Sequence, residues 1–302
     1  MYESYKILSK EGKKIRDHSI DLIRRWITAI LFIPALVIIA RSGGLYFLIL
    51  VELGIFLGVY EFCDILRERG LTPYKSLAIV SSMILGLNAY FQSHLFTVIT
   101  ITALVIVVAF AELFRRKKEE AIFHLSGTVF GVIYVGWLFS HLILLSQMPE
   151  VLEPFTYKNI FGIPIRLGTS LALLPFVLTW SNDSAAFFVG RKFGKTKFFP
   201  VISPKKTWEG VMGGAFAAIL SAFIYHYLYA SYLSWFDCVT LGITVGIVAP
   251  IGDLVESMIK RDVKIKDASA IIPGHGGFLD RFDSLLFTAP LIYYYIRFFA
   301  VK

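Results

Sequence analysis

The run FTVITITALVIVVAFAEL, residues 96–113, decides the fold of this chain. Its eighteen positions hold a single charged residue, Glu112. A helix needs about 20 predominantly apolar residues to cross the hydrocarbon core of a bilayer, and this run comes close to that length. The whole chain has the same character, since 56% of its 302 residues are hydrophobic and 17% are charged. Such values lie outside the usual soluble range and predict an integral membrane protein.

Comparable apolar runs recur along the chain, and we predict an all-α polytopic membrane protein with about nine transmembrane helices. The first run is short, so an arrangement of eight spans, in which it tilts or dips as a pair with the second, remains an alternative. The predicted spans are 27–41, 45–63, 77–93, 96–113, 122–146, 168–189, 210–232, 238–258 and 284–301.

Positive charge is concentrated on one side of this arrangement. With nine spans, 25 of the 30 Lys and Arg residues fall on alternate loops. Because Lys and Arg accumulate on cytoplasmic loops, the N-terminus and these loops are predicted to be cytoplasmic, in the cell (inner or plasma) membrane. The net charge of +8 then lies on a face that attracts anionic lipid head groups and anionic substrates. Nucleic acid is not an expected partner, since no nucleic-acid module surrounds the basic residues.

The chain divides into three regions of different polarity. Residues 1–26 form a basic cytoplasmic segment, residues 27–150 an N-terminal and middle transmembrane region, and residues 151–302 a C-terminal transmembrane region. The third region holds the long cytoplasmic loops and most polar groups within spans, so we predict that function is located there.

Cys63 and Cys238 match neither a disulfide framework nor a metal spacing.

The first candidate group of polar residues surrounds the loop after the sixth span. Asp183 lies within an apolar run, and Ser203, Lys205 and Lys206 come shortly before the next span. Lysines at that position are suited to binding phosphate. The alternative is that they are topology signals only, because basic residues commonly flank spans.

The second candidate group lies at the end of the eighth span. Asp253, Glu256, Ser257 and Lys260 follow i, i+3, i+4, i+7 spacing and therefore share one helix face. A face with two acids is costly to expose to lipid, which favours a functional role. The alternative is an internal ion pair of Asp253 or Glu256 with Lys260 or Arg281.

The third candidate group surrounds the Pro273–Gly277 turn, PGHGG, which includes His275 and Gly276. Asp280 and Asp283 follow at i, i+3 at the start of the last span, with Arg281 between them. If the last span packs against the eighth, Asp253 and Asp280 would face each other and bind Mg²⁺, which prefers oxygen ligands. Zinc is not expected, because no second His or Cys stands at ligand spacing from His275.

Carboxylates for Mg²⁺, surrounding Lys and Arg residues and a glycine turn together favour phosphoryl or nucleotidyl transfer. Residue chemistry alone does not name the nucleotide. The C-terminal region contains the motifs Ser257-Met-Ile-Lys260-Arg261, Lys266-Asp267, Pro273-Gly-His275-Gly-Gly, Asp280-Arg281 and Phe282-Asp283. Upstream lie the Asp183 segment and Ser203-Pro204-Lys205-Lys206-Thr207-Trp208-Glu209-Gly210. Together these motifs closely resemble the signature of phosphatidate cytidylyltransferases, also called CDP-diacylglycerol synthases.

The resemblance implies a membrane enzyme that converts CTP and phosphatidate to CDP-diacylglycerol and pyrophosphate in phospholipid biosynthesis. The resemblance also implies a set of cofactors. It consists of Mg²⁺ bound by Asp253 and Asp280, with Asp283 as a further or indirect ligand, and a monovalent cation such as K⁺ beside it. The resemblance assigns catalytic roles to the groups at Asp253, Lys260, Arg261, Asp280, Arg281 and Asp283. It assigns substrate binding to Asp183, Ser203, Lys205, Lys206, Lys266, Asp267, His275 and Gly276.

CTP and phosphatidate are thus the expected substrates, and membrane lipids are the expected surroundings. A homodimer is an assembly that the sequence leaves open.

Two other classes of function remain. A CTP-dependent lipid kinase would share acids and basic loops but transfer the γ-phosphoryl group. A transporter would place its charges near the midplane within paired repeats, whereas here they cluster at one edge.

Overall fold

The structure is a computed structural model, and it describes residues 31–115, 119–148, 156–158, 162–265 and 276–300. Helices dominate these residues. In chain order they are α1 (Leu31–Ser42), α2 (Gly44–Glu68), α3 (Lys75–Tyr90), α4 (His94–Leu113), α5 (Ala121–Gln147), α6 (Leu167–Phe193), α7 (Trp208–Tyr229), α8 (Trp235–Asp262) and α9 (Leu279–Tyr295). A π-helical turn, Ile296–Ala300, follows α9.

A helix lies in each of the predicted intervals, but the described helices differ in their capacity to span a membrane. Six of those described are long and apolar enough to cross: α2, α4, α5, α6, α7 and α8. The chain is therefore an all-α membrane protein with several spans, and the number nine stays a prediction. The short α1 is separated from α2 by Gly43, whose φ of 63° lies in the left-handed region that favours glycine.

Two short hairpins interrupt the helices, and the sequence interpretation had not predicted them. Strand β1 (Thr156–Lys158) pairs antiparallel with β2 (Pro164–Arg166). Strand β3 (Lys197–Phe199) pairs antiparallel with β4 (Ser203–Thr207) in the loop between α6 and α7. The second hairpin fixes the position of the predicted phosphate-binding lysines, because Thr207 ends β4 and is also the N-cap of α7.

Small residues allow the C-terminal helices to pack closely. A Cβ atom added to Gly246 of α8 would lie 2.3 Å from Ala215 Cβ of α7, so the two backbones meet there. A Cβ atom on Gly194, at the end of α6, would lie 2.6 Å from Thr207 Oγ1. Close packing of this kind is typical of helix interfaces in membranes. It brings the ends of α6, α7 and α8 together at one end of the bundle.

Helix α5 contains a π-helical segment, Val132–Trp137. Such segments are rare and often occur at functional sites, because the extra residue turns side chains away from the regular helix faces. Its neighbours are α2 and α3: a Cβ on Gly136 would lie 2.5 Å from Ser82 Oγ of α3, and one on Gly58 of α2 would lie 2.7 Å from Val135 Cγ1. The segment therefore packs against the N-terminal helices α2 and α3.

Candidate active site

Helices α8 and α9 cross in backbone contact at the predicted acidic residues. A Cβ atom on Gly252 would lie 2.7 Å from the carbonyl oxygen of Asp283 and 3.0 Å from Ser284 Cα. Only glycine allows this approach without displacing the α9 backbone. Asp253 follows Gly252 directly, so the crossing places Asp253 of α8 beside the first turns of α9.

Three aspartates from three helices lie near enough to this crossing for their charges to act on one another: Asp183 of α6, Asp253 of α8 and Asp283 of α9. We call them the three-aspartate cluster. Asp283 is 9% exposed, and the negative charges of the other two are near enough to act on it. The Ser284 hydroxyl lies within hydrogen-bonding reach of Asp183. Like charges held together in a partly buried site repel one another, and either a cation or a bound proton offsets that repulsion.

Lys206 supplies part of that positive charge. Its Nζ lies 2.8 Å from Asp253 Oδ2 and donates a hydrogen bond to the carbonyl oxygen of Pro250 at 3.1 Å. Ser257 donates to Asp253 Oδ1 at 3.2 Å, one turn along α8. Hairpin β3–β4 thus brings a lysine directly onto the predicted metal ligand.

A second charged group lies one turn further along α8. Lys260 forms ion pairs with Glu256, at 2.7 Å, and with Asp280 of α9. Asp280 Oδ2 also accepts a hydrogen bond from the Gly277 amide at 2.9 Å. We call Glu256, Lys260 and Asp280 the Lys260 cluster. It matches the ion-pair alternative considered for this helix face, and it joins α8 to the start of α9.

Glu61 of α2 anchors the start of α9, and sequence reasoning missed it. Its two carboxylate oxygens accept hydrogen bonds from the amides of Phe278 and Leu279, each at 2.8 Å. Those amides begin α9 and need acceptors outside the helix. The side chain is 1% exposed. An acid within the apolar run of the second span was the available signal, because ionisable residues inside spans are seldom incidental.

Tyr134 is a second residue from the N-terminal half that reaches the site. It belongs to the π-helical segment and is 3% exposed. Its ring centroid lies 6.2 Å from that of Phe287, one turn of α9 after Asp283. Its hydroxyl has no hydrogen-bond partner among the described residues, and the charges of Asp253, Glu256 and Asp283 act on it. A buried hydroxyl without a protein partner is able to bind a water molecule or a ligand oxygen.

The donors at the three-aspartate cluster fit a hard cation. All are oxygens, which Mg²⁺ and K⁺ prefer. Asn182 Oδ1, beside Asp183, is buried and has no hydrogen-bond partner within the described ranges. Over those same ranges, no group of three or more His, Cys, Asp or Glu side chains is placed so that it could hold a metal ion. Mg²⁺ typically takes one or two carboxylates and completes its shell with water and substrate phosphates, which this incomplete set allows.

The remaining predicted residues that the structure describes lie around this end of the bundle. Ser203 and Lys205 are in β4, where Lys205 is exposed. Arg261 is exposed and donates to the carbonyl oxygen of Ile265 at 3.0 Å. Arg281 is exposed on the first turn of α9, and Gly276, with φ of 84°, comes before it. Lys266, Asp267 and His275 lie outside the described residues.

The helices define a polytopic membrane protein, and acidic and basic side chains gather at one end of its bundle. The chain belongs to the cytidylyltransferase family, whose model matches residues 23–299. It is 34% identical to the phosphatidate cytidylyltransferase of Synechocystis sp., over 90% of this chain and 96% of that protein. It is 26% identical to the phosphatidate cytidylyltransferase of Bacillus subtilis, over 93% of this chain and 100% of the other. The chloroplastic phosphatidate cytidylyltransferase 4 of Arabidopsis thaliana is 33% identical, over 86% and 69%.

Proposed function

We propose that this protein is an integral membrane enzyme that converts CTP and phosphatidate to CDP-diacylglycerol and pyrophosphate in phospholipid biosynthesis. Family membership and the near-complete alignment with relatives of that name support the substrates. One structural observation carries the proposal: the Lys206–Asp253 ion pair, 2.8 Å long, lies beside Asp183 and Asp283. That arrangement combines a phosphate-binding cation with carboxylates for a divalent ion.

The reaction is a displacement at phosphorus. An oxygen of the lipid phosphate attacks the α-phosphorus of CTP, the bond from that phosphorus to the bridging oxygen breaks, and pyrophosphate leaves with the electron pair. A phosphate monoester is largely ionised near neutral pH, because its second pKa is about 6, so no strong protein base is required. Catalysis then depends on positioning and on offsetting charge. The cationic residues proposed for this role are Lys205, Lys206, Lys260, Arg261 and Arg281.

Mg²⁺ is the proposed cofactor, and Asp253 is the proposed primary ligand. The ion would supply positive charge to the nucleotide phosphates. Two carboxylates compete as the second ligand. Asp280 was predicted from sequence, but it is already paired with Lys260 and the Gly277 amide. Asp283 forms no ion pair with a Lys or Arg of the described chain, which favours it as the partner of Asp253.

Substrate contacts are also proposed for other polar residues. Tyr134 would donate its hydroxyl hydrogen to a phosphate or carboxylate oxygen. The remaining proposed contacts are those predicted from sequence: Asp183, Ser203, Lys266, Asp267, His275 and Gly276.

An assay with purified protein, CTP, Mg²⁺ and phosphatidate tests the proposal. We expect CDP-diacylglycerol and pyrophosphate in equal amounts, and strongly reduced product from Asp253→Asn. A lipid kinase would release CDP and transfer the γ-phosphoryl group instead. Absence of both products in a preparation with a normal melting transition would contradict an enzymatic role and favour a transporter.

The proposed location is the cell (inner or plasma) membrane, with the N-terminus and the site on the cytoplasmic side. The distribution of Lys and Arg over alternate loops supports this orientation. A homodimer is the assembly to examine, and cross-linking in the native membrane distinguishes it from a monomer.

A further inference from the structure

A polar cavity of about 100 Å³ lies at the end of the bundle opposite the candidate active site. Its walls come from the ends of α3 and α9, the start of α4 and the second half of α5. Tyr293 of α9, one of the lining residues, is ten residues after Asp283, which is about 15 Å along a helix. The cavity is therefore separate from the three-aspartate cluster.

The lining of the cavity is polar without being acidic or basic. Side-chain amides come from Asn88 and Gln92, and hydroxyl groups include that of Thr97. Aromatic rings come from Trp137 and from the tyrosine pair that ends α9. No Asp, Glu, Lys or Arg of the described chain lines it. Hydrogen-bonding groups set among aromatic rings are typical of sites for small polar ligands.

The two amide side chains in the lining are each held in one orientation. Gln92 Nε2 donates to the carbonyl oxygen of Gln147 at 2.7 Å, and a carbonyl oxygen can only accept. Asn88 Nδ2 donates to Thr100 Oγ1 at 3.0 Å, because the Thr100 hydroxyl hydrogen is donated to the Phe96 carbonyl oxygen at 2.7 Å. Within the described residues, Asn88 Oδ1 and Gln92 Oε1 receive no hydrogen bond, so both oxygens are free to accept one.

Two hydroxyl groups in the lining are also acceptors. Thr97 Oγ1 donates its hydrogen to the carbonyl oxygen of Ser93 at 2.9 Å. His141 Nδ1 lies 2.9 Å from the Trp137 carbonyl oxygen and must donate to it, so Nε2 of the neutral ring accepts from the Tyr294 hydroxyl at 3.3 Å. Both hydroxyl groups have thus used their hydrogens. With the two amide oxygens, the lining offers four oxygen acceptors.

His141 also fixes the aromatic wall of the cavity. It is 0% exposed, and its ring centroid lies 4.9 Å from that of Trp137, 5.5 Å from that of Tyr293 and 5.4 Å from that of Tyr294. All three neighbouring rings line the cavity. Packing on one buried side chain holds them in place, so the wall is formed before a ligand arrives.

These groups together favour a primary ammonium ion as the ligand. Such an ion carries three N–H donors and no acceptor, which matches oxygens whose own hydrogens are already donated. Cations are also attracted to the faces of Trp and Tyr rings. A quaternary ammonium ion has no N–H and would leave the oxygens unpaired, whereas an anion would be repelled by their lone pairs.

The surroundings of the cavity favour a lipid as the source of that ion. Tyr294 is 41% exposed, so the cavity wall reaches the outside of the bundle near the ends of its helices. Trp and Tyr residues are common at that level of a membrane, where the lipid head groups lie. Arg297 is exposed four residues after Tyr293, and its charge acts on the Tyr293 hydroxyl. A lipid phosphate beside the cavity would therefore meet a positive charge.

We propose that this cavity binds the primary ammonium group of a phospholipid head group, with the lipid phosphate paired to Arg297. The site is independent of the proposed reaction, because none of its residues belongs to the three-aspartate cluster or the Lys260 cluster. It gives the protein a second contact with membrane lipid, at the face opposite the candidate active site.

Native mass spectrometry of the purified full-length protein tests the choice of ligand. Dihexanoyl phosphatidylethanolamine is titrated against the matching phosphatidylcholine, the matching phosphatidylglycerol and free ethanolamine. We expect phosphatidylethanolamine to bind about tenfold more tightly than each of the others, since only it has both the N–H donors and the phosphate. Equal binding of phosphatidylcholine or phosphatidylglycerol would overturn the ammonium site, and equal binding of free ethanolamine would overturn the lipid as its source.

A matched pair of variants on α4 locates the site. Thr97→Val removes one of the four acceptors, whereas the control Thr102→Val removes the same kind of hydrogen bond, from an exposed threonine to the carbonyl oxygen of Val98. We expect Thr97→Val to weaken phosphatidylethanolamine binding about tenfold and Thr102→Val to leave it unchanged. Equal affinities in the two variants would contradict binding at this cavity.

A second pair of variants tests the phosphate contact and does not depend on a buried residue. Arg297→Gln should weaken binding of phosphatidylethanolamine and leave that of free ethanolamine unchanged, because only the lipid carries a phosphate. Arg41→Gln, at another exposed arginine, is the control. Equal effects of the two arginine substitutions would contradict the phosphate contact. If Thr97→Val fails to fold, this pair decides whether the lipid binds here.

Discussion

Glu61 of α2 accepts a hydrogen bond from the backbone amide of Leu279 at 2.8 Å, although 218 residues separate the two in sequence. Its other oxygen accepts from Phe278, so one carboxylate holds the first turn of the helix that carries Asp280 and Asp283. The N-terminal region therefore contributes to the site by positioning it. The sequence predicts that function is located in residues 151–302, and Glu61 is a contact to that region from outside it.

Glu61→Gln should lower both stability and turnover. The amide keeps one acceptor oxygen but turns an NH₂ group towards a backbone N–H, leaving a buried donor unpaired. We expect a loss of about 1–3 kcal/mol in the free energy of unfolding and a fall in kcat, because Asp280 and Asp283 lose their fixed position. Melting temperature and steady-state kinetics measure the two effects. The control is Glu68→Gln, at the exposed end of the same helix, and an equal response from both variants would argue against the anchoring role.

Tyr134→Phe should separate function from stability. The Tyr134 hydroxyl is buried without a hydrogen-bond partner in the described chain, so its removal costs the fold nothing and is expected to leave the melting temperature unchanged or higher. If the hydroxyl donates to a phosphate oxygen during turnover, kcat should fall by about a hundredfold. Tyr227→Phe is the control, because Tyr227 is 48% exposed on α7. Full activity in Tyr134→Phe would remove the residue from the site.

The transmembrane organisation could be predicted from sequence because hydrophobic length is a local property. Residues 238–258 were expected to form a span, for example, and α8 runs from Trp235 to Asp262. The shared face of Glu256 and Lys260 also follows from helix periodicity, and their 2.7 Å ion pair agrees with it. What local patterns could not supply was the pairing between distant helices.

Contacts that depend on packing were the ones missed. Lys206 and Asp253 were each singled out, but their 2.8 Å ion pair requires the β3–β4 hairpin, which the sequence interpretation did not include. Tyr134 looked like one aromatic among many in an apolar run. Only the π-helical segment and the crossing of α9 place it beside Asp283.

Lys206→Ala should lower activity with little effect on folding. The Lys206–Asp253 pair is partly exposed, with side-chain exposures of 21% and 40%, and such pairs contribute about 0–1 kcal/mol to stability. Loss of the lysine removes a phosphate-binding charge from the site, so we expect a higher KM for CTP and a lower kcat. The matched control is Lys197→Ala on the other strand of the hairpin, which is exposed. A melting temperature reduced in parallel with activity would favour a structural role for Lys206.

Cysteine labelling should establish the orientation of the chain. The native cysteines, Cys63 and Cys238, are both buried, so an introduced cysteine gives a clear signal. A cysteine in place of Lys195, which is exposed between α6 and β3, should react with a membrane-impermeant maleimide only after the membrane is opened. A cysteine in place of exposed Phe91, between α3 and α4, should react in intact cells. The reverse pattern would overturn the cytoplasmic placement of the site.

Substitution of the acids by their amides should identify the metal ligands. Asp253→Asn keeps the shape of the side chain and removes one negative charge, which a hard divalent ion tolerates poorly. We expect it to abolish turnover while the melting temperature stays near that of the unmodified protein. Asp283→Asn should do the same if Asp283 is the second ligand, and it should also raise the Mg²⁺ concentration needed for nucleotide binding. Calorimetric titration with Mg²⁺ and a non-hydrolysable CTP analogue measures this directly.

Asp280→Asn distinguishes the two candidates for that second position. If Asp280 ligates Mg²⁺ with Asp253, as the sequence predicted, its amide variant should also lose turnover and metal-dependent nucleotide binding in a folded protein. If Asp280 acts through its ion pair with Lys260, the variant should lose about 3–5 kcal/mol of stability and retain some Mg²⁺-dependent activity. Asp262→Asn is the control, since Asp262 is an exposed acid on α8 that pairs with Arg69. Unchanged Mg²⁺ dependence in the Asp253, Asp280 and Asp283 variants alike would contradict a metal at this crossing.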